Sequence, residues 1–171
     1  MRHEAVRLAS PRGLAIIRRD MTESETLRRA TPDDAGAISA LTHQAYAKWL
    51  PVLGREPKPM TADYDHAVRA HLIDLLFVGD RLAALVETIP AVDHLLIENL
   101  AVAPDFQGRG YGRRLARHAE ELARSLGYGE IRLYTNKLFA ENVALYRRLG
   151  YGVDREEPFK GGFLVHMSKR I

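Results

Sequence analysis

The chain contains no cysteine. Disulfides, thiolate-bound metals and a covalent acyl-cysteine intermediate are therefore excluded. Long apolar runs are missing too. None approaches the roughly 20 residues a membrane helix requires, so no membrane partner is expected. Charge of one sign is not in excess: 25 Lys and Arg against 22 Asp and Glu leave a net +3. A nucleic-acid binder usually carries a clustered basic surplus. The arginines here are mostly dispersed, and no nucleic-acid partner is expected. The seven histidines (His3, His43, His66, His71, His94, His118 and His166) show no metal-ligand spacing. His66 and His71 are five apart and do not share a helix face, so no metal is expected.

What remains is an ordinary globular composition. The 171 residues are 46% apolar and 27% charged, enough for one compact domain with a core. The first twenty residues are Arg-rich, with a brief apolar patch at Leu14–Ile17 that is too short for a secretory signal. A cytoplasmic location is expected. Met21 precedes Glu25-Thr26-Leu27-Arg28-Arg29-Ala30, which reads as a first strand. Residues 1–20 are expected to be an extension and residues 21–171 a single domain.

Thr31-Pro32-Asp33-Asp34 is a helix-start signal, predicting a helix to about Trp49. The proline-rich stretch Pro51–Met60 reads as loop, and a second helix is expected from Ala62 to Leu75. Leu76–Val78, Gly79-Asp80 and Arg81–Thr88 read as strand, turn and strand. His94–Val102 is the most strand-like stretch, with Leu96, Glu98, Leu100 and Val102 alternating against Leu95, Ile97, Asn99 and Ala101. A long helix to Leu126, a strand at Ile131–Thr135, a helix at Phe139–Leu149 and strands at Tyr151–Asp154 and Phe163–Ser168 complete the order. The expected fold is α/β (α+β), a mixed central sheet of about seven strands flanked by four helices.

Chemistry concentrates in two places. Gln107-Gly108-Arg109-Gly110-Tyr111-Gly112 lies between a strand and a helix. Such a turn lets successive backbone N–H groups converge on an anion, with the positive end of the helix dipole behind them. Arg109, Arg113, Arg114 and Arg117 follow with no acid among them, the one local basic cluster. A plain strand–helix connection and a dinucleotide turn are the competing readings. Position 113 is Arg, where the dinucleotide pattern needs Gly or Ala. No Gly-Lys-Ser/Thr follows, which excludes a Walker-type loop. The second place is Asn136–Tyr151. There Asn142 and Tyr146 are four apart on a helix, with Val143, Leu145 and Leu149 behind them.

Leu100-Ala101-Val102-Ala103-Pro104, the Q-G-R-G-Y-G turn and the N-x-x-L-Y-x-x-L-G-Y ending together resemble the GNAT superfamily of N-acetyltransferases. The resemblance is strongest from Ile97 to Val153. It implies acetyl-CoA as cosubstrate, lying where the central sheet splays, and direct transfer of the acetyl group to a primary amine. By position it implies that Leu100, Ala101 and Val102 bond the acetyl carbonyl and pantetheine arm. Gln107, Gly108, Arg109, Gly110, Tyr111, Gly112 and Arg113 would hold the pyrophosphate, and Asn142 the pantetheine. Tyr146 would be the general acid beside the sulfur, and Glu98 the candidate base, with Glu87, Asp93 and His94 as alternatives. The acceptor, a small-molecule amine or a peptide, would meet Tyr46, the Pro51–Met60 loop, Asp63, Tyr64 and the turn near Phe159–Gly162, with Trp49 read as core. A homodimer is compatible with this reading. A non-catalytic acyl-CoA sensor is the alternative from a different class.

Overall fold

The computed structural model describes residues 23–171. The expected extension at residues 1–20 lies outside them. Seven strands form one sheet: β1 Glu25–Arg29, β2 Leu72–Val78, β3 Arg81–Pro90, β4 Leu95–Val102, β5 Glu130–Asn136, β6 Gly152–Phe159 and β7 Gly162–Arg170. Their order is β1-β2-β3-β4-β5-β7-β6, and every neighbour is antiparallel except β4 and β5. The helices are α1 Ala35–Tyr46, the single turn α2 Leu50–Leu53, α3 Tyr64–Ala70, α4 Tyr111–Ser125 and α5 Ala140–Arg148. The mixed sheet with four full helices is the architecture expected from the sequence.

Apolar side chains fill both faces of the sheet. Ile38, Leu41 and Ala45 of α1 and Tyr64 and Ala67 of α3 pack with Ile73, Leu75, Ala83 and Leu85 on one face. Leu115, Ala119 and Ala123 of α4 pack with Leu95, Ile97, Ile131 and Met167 on the other. This is why α4 needs only one apolar stripe: Leu115 and Ala119 are four apart, Ala119 and Ala123 likewise, and the arginines are left to solvent.

The expected helix over 62–75 is an overreach. The helix stops at Ala70, and Leu72-Ile73-Asp74-Leu75-Leu76-Phe77-Val78 is a strand, paired from Leu72↔Thr88 to Val78↔Arg81. A short apolar run lacks a decisive period, and here its burial between β1 and β3 wins over helical continuation. At its other end α1 gives way at Tyr46 to a tighter turn, Ala47–Trp49, and then α2, which Gly54 ends in the left-handed conformation at φ 65°. The closing hairpin is longer than expected, running from Gly152 to Arg170.

Two irregularities open the sheet. Glu87 faces Asn99 and Thr88 faces Ile97, so Glu98 is the extra residue of a β-bulge in β4. Burial alternates along the whole strand, but the face served changes at the bulge. Leu95 and Ile97 lie on the α4 side and Ala101 on the α1 side. Beside it, β4 and β5 pair only at Leu95↔Ile131, Leu96↔Arg132 and Ile97↔Leu133. Beyond those residues the two strands part.

Candidate active site

The parting of β4 from β5 leaves a small gap of about 30 Å³ lined by Tyr46, Glu98, Leu100, Tyr134, Asn142 and Tyr146, among others. It lies between two larger spaces. A groove of about 450 Å³ runs along the ends of β4, α4 and α5, and a cavity of about 520 Å³ opens against the 55–61 loop and the β6–β7 hairpin. Tyr46 lines all three spaces, while Glu98 and Tyr134 line both the gap and the cavity.

The groove gathers short stretches of β4, the glycine turn, α5 and the residues around the end of α1. Leu100, Ala101 and Val102 form one wall, Asn142, Leu145 and Arg148 another, and Gln107, Gly108, Gly110, Tyr111, Gly112 and Arg113 the end. Gly108 and Gly110 adopt φ 75° and 85°, which L side chains rarely tolerate. Gly110 is the N-cap of α4 and carries no side-chain cap, and no acid follows in the first turn. The donors at this helix end are therefore left for an anion. Gly112 packs below the turn, where a Cβ would touch the Leu100 and Leu145 side chains at 3.6 Å.

Three members of the turn have local partners. Gln107 donates from Nε2 to the Val102 carbonyl at 3.0 Å. The Arg109 guanidinium sits 5.3 Å from the Phe106 ring centroid and does not line the groove. The Tyr111 hydroxyl donates to Glu25 at 2.9 Å.

Asn142 and Tyr146, one turn apart on α5, both face the gap. Tyr146 is buried edge-on against Tyr151, and its hydroxyl has no hydrogen-bond partner among the described residues. Burial raises its phenol well above the usual tyrosine range, so it stays protonated at neutral pH. A buried, protonated, unpartnered hydroxyl is suited to giving a proton to a group entering the gap.

On the cavity side, the bulge aims the Glu98 carboxylate at two donors. Lys58 Nζ donates to it at 2.5 Å and the Tyr134 hydroxyl at 2.9 Å, while Lys58 also donates to Tyr134 at 2.6 Å. Burial disfavours the charged Lys58, but its bonds to Glu98 and Tyr134 outweigh this and hold the ammonium above the usual lysine range. Burial likewise raises the Tyr134 phenol. Pro57 and Pro59 stiffen the loop on either side of Lys58.

The other expected acceptor residues separate. Tyr46 and Phe159 line the cavity. Asp63 instead caps α3, accepting from the His66 N–H at 3.1 Å. Tyr64 is core: its hydroxyl donates to the Pro59 carbonyl at 2.8 Å, and burial pushes its phenol up to about 12. Tyr46 donates to Asn99 Oδ1 at 2.9 Å, inside a buried cluster that also joins Tyr64 and Thr42. Of the alternative bases, Glu87 is buried against His71 at 2.5 Å, and Asp93 pairs with His94 and Arg132; none of them lines the three spaces. The 51–60 loop and the 159–162 turn, expected on the acceptor side, bring Arg55, Lys58 and Lys160 to the cavity, while Tyr134 was missed. Only the alternation of β5 carried a signal, since Tyr134 falls on the less buried face of that strand.

The sequence pattern of the acetyltransferase (GNAT) family matches residues 38–151, well over half of the chain. The chain belongs to that family. Among curated GNAT relatives, streptothricin acetyltransferase of Streptomyces lavendulae is 42% identical over 57 residues, 33% of this chain and 30% of that protein. The ribosomal protein bS18-alanine N-acetyltransferase of Salmonella typhimurium is 37% identical over 76 residues, 44% of this chain and 51% of that protein. The matched segments thus span about half or less of these relatives. Among solved structures, the PaiA N-acetyltransferase of Thermoplasma acidophilum in complex with coenzyme A superposes with a TM-score of 0.73 at 16% identity, covering 86% of this chain and 99% of that one. The ribosomal-protein-S18-alanine N-acetyltransferase of Escherichia coli gives 0.68 at 22% identity, covering 86% and 94%. Identities this low show a shared GNAT fold.

Proposed function

We propose that the chain is an N-acetyltransferase that moves the acetyl group of acetyl-CoA directly onto a primary amine. The observation that carries this is the junction itself: an anion-accepting groove and a carboxylate-bearing cavity meet at one gap, with Tyr146 and Glu98 both on its wall. A donor and an acceptor entering from the two sides would bring their reacting ends together there.

The residues fit the donor. Its pyrophosphate would take the backbone N–H groups of Gly108–Arg113, and its pantetheine arm would run between Leu100–Val102 and Asn142. Several solved GNAT structures hold coenzyme A or acetyl-CoA, and the wide overlap in fold supports the same ligand here. A free lysine-like amine is mostly protonated at neutral pH. Glu98 would draw the ammonium into the gap and take its proton, directly or through water. The nitrogen then forms a C–N bond to the acetyl carbon as the C–S bond breaks, Tyr146 protonates the leaving thiolate, and the second proton shed by the nitrogen restores the Tyr146 hydroxyl through water. Each well-placed proton transfer is typically worth about 10²–10⁴ in rate. Backbone N–H groups of β4 would stabilise the developing oxyanion. Without cysteine no acyl-thiol enzyme intermediate forms.

The test is thiol release from acetyl-CoA across a panel of amines and peptides, with acetylated product identified by mass. Acceptor-dependent release supports the reading. Tight coenzyme A binding with no acceptor-dependent release would instead favour an acyl-CoA sensor.

A further inference from the structure

The acceptor cavity already contains an ammonium, that of Lys58, neutralised by Glu98 at 2.5 Å. An incoming amine that takes the same carboxylate oxygen displaces it. A purely cationic amine would then leave Lys58 beside a second positive charge, with its carboxylate partner taken. An acceptor that carries its own carboxylate exchanges both partners at once, ammonium for Glu98 and carboxylate for Lys58.

The rest of the cavity leans the same way. Arg55 and Lys160 also line it, from different elements, and both lie against the Phe159 ring, at 5.4 and 5.3 Å from its centroid. Neither has a carboxylate partner among the described residues; Arg55 makes only a 3.4 Å contact to the Glu56 carbonyl. The one carboxylate of the lining besides Glu98 is Glu56, which is exposed. Lys160 is held at φ 47° in the β6–β7 turn, a left-handed position that glycine or asparagine fills at lower cost.

Resting on the acetyl-transfer reading, we propose that the acceptor is a small zwitterionic amino carboxylate. Its ammonium replaces Lys58 on Glu98 and Tyr134, its carboxylate pairs with Lys58, and Arg55 and Lys160 supply the surplus positive charge at the rim. The atoms balance as in ordinary amide formation. The ammonium gives one proton to Glu98, the new C–N bond forms as the C–S bond breaks, Tyr146 protonates the leaving thiolate, the second proton shed by the nitrogen restores the Tyr146 hydroxyl through water, and Glu98 returns its proton to solvent. The product has no ammonium left, so Glu98 is free to recapture Lys58, which helps release it.

The test compares alanine, phenylalanine and 4-aminobutyrate with their carboxamides, and alanine and phenylalanine with dipeptides of the same N-terminal residue, by kcat/KM for thiol release. The carboxamides of the two α-amino acids are less basic and carry more free amine at neutral pH, so intrinsic reactivity favours them. The proposal expects at least one acid to exceed its carboxamide by about tenfold or more, the scale of one charge-assisted hydrogen bond. It expects that ratio to fall several-fold in the Arg55→Gln/Lys160→Gln double variant and in Lys58→Gln, with folding checked by thermal unfolding. Acid-to-amide ratios at or below one, a ratio unchanged in both variants, or a dipeptide preferred over its free amino acid would overturn it. Active carboxamides with such ratios leave acetyl transfer standing and sink only this inference. No release with any compound, while coenzyme A binds, sinks both.

Discussion

The two sides of the gap are built differently. The groove is built around a glycine turn: a strand end, the turn with its two left-handed residues and an uncapped helix start fall within residues 100–113, closed by one face of α5 and by Ala45, Tyr46, Lys48 and Trp49. The cavity is made of side chains brought from the 55–61 loop, the β4 bulge, β5 and the closing hairpin. A backbone site needs particular residues only where the chain must bend or come close, so it tolerates change elsewhere while holding one common ligand part. A side-chain site can be rebuilt residue by residue around the same fold. The difference predicts that substitutions on the groove side act on donor binding, and those at the gap and cavity act on turnover and acceptor choice.

The largest expected effect is at the gap. Tyr146→Phe should lower kcat by about 10²-fold or more while the Kd for coenzyme A stays within a few-fold, because only the proton is removed. Stopped-flow thiol release beside calorimetry reads both, and an unchanged kcat would take Tyr146 out of the mechanism. Next comes Glu98→Gln, which should lower kcat/KM by about ten- to a hundredfold with donor binding kept, since water can replace part of a base's work. An equal loss of coenzyme A affinity would erase the division between the two sides.

On the groove side, Gly110→Glu should weaken coenzyme A binding by about tenfold or more, through a side chain forced on a φ of 85° and a negative charge placed near phosphate. A Kd equal to the wild type would move the diphosphate elsewhere. The smallest effect on either site is expected from the scaffold. Asp74 is buried in β2 and accepts from Arg29 at 2.7 Å and bonds His118 at 2.8 Å. Burial raises its carboxyl, but these two partners outweigh that and hold it below the usual range. A depressed folded value contributes stability above the unfolded carboxylate range, near pH 4, that is lost as pH falls through the folded value. Asp74→Asn should lower stability by about 1–3 kcal/mol at neutral pH and flatten the acid limb of the unfolding curve. An unchanged limb would assign acid sensitivity to other carboxylates, with Asp34 beside Arg28 the next to test.

The same division explains what could be read from the sequence. The glycine turn and the Asn142–Tyr146 spacing are contiguous, and each has a local physical reason, so their places on the groove and the gap follow from short stretches of chain. The order of strands and helices along the chain was legible for the same reason, except at residues 71–75. There an apolar run looks alike on a helix or in a central strand, and only pairing with β1 and β3 decides. The cavity was barely legible. Asp63 and Tyr64 lie close in sequence to the loop that lines it, yet one caps α3 and the other fills the core. Lys58 meets Glu98 across 40 residues and Tyr134 across 76, distances over which local pattern carries no information. The bulge that aims Glu98 was hidden too, because burial alternates smoothly through it.

Titration of the wild-type protein with coenzyme A and with acetyl-CoA by calorimetry tests the central claim most directly. The account predicts saturable heat at one site for both ligands, lost or strongly weakened in Gly110→Glu and preserved in Tyr146→Phe. No heat from either ligand on folded wild-type protein would contradict it.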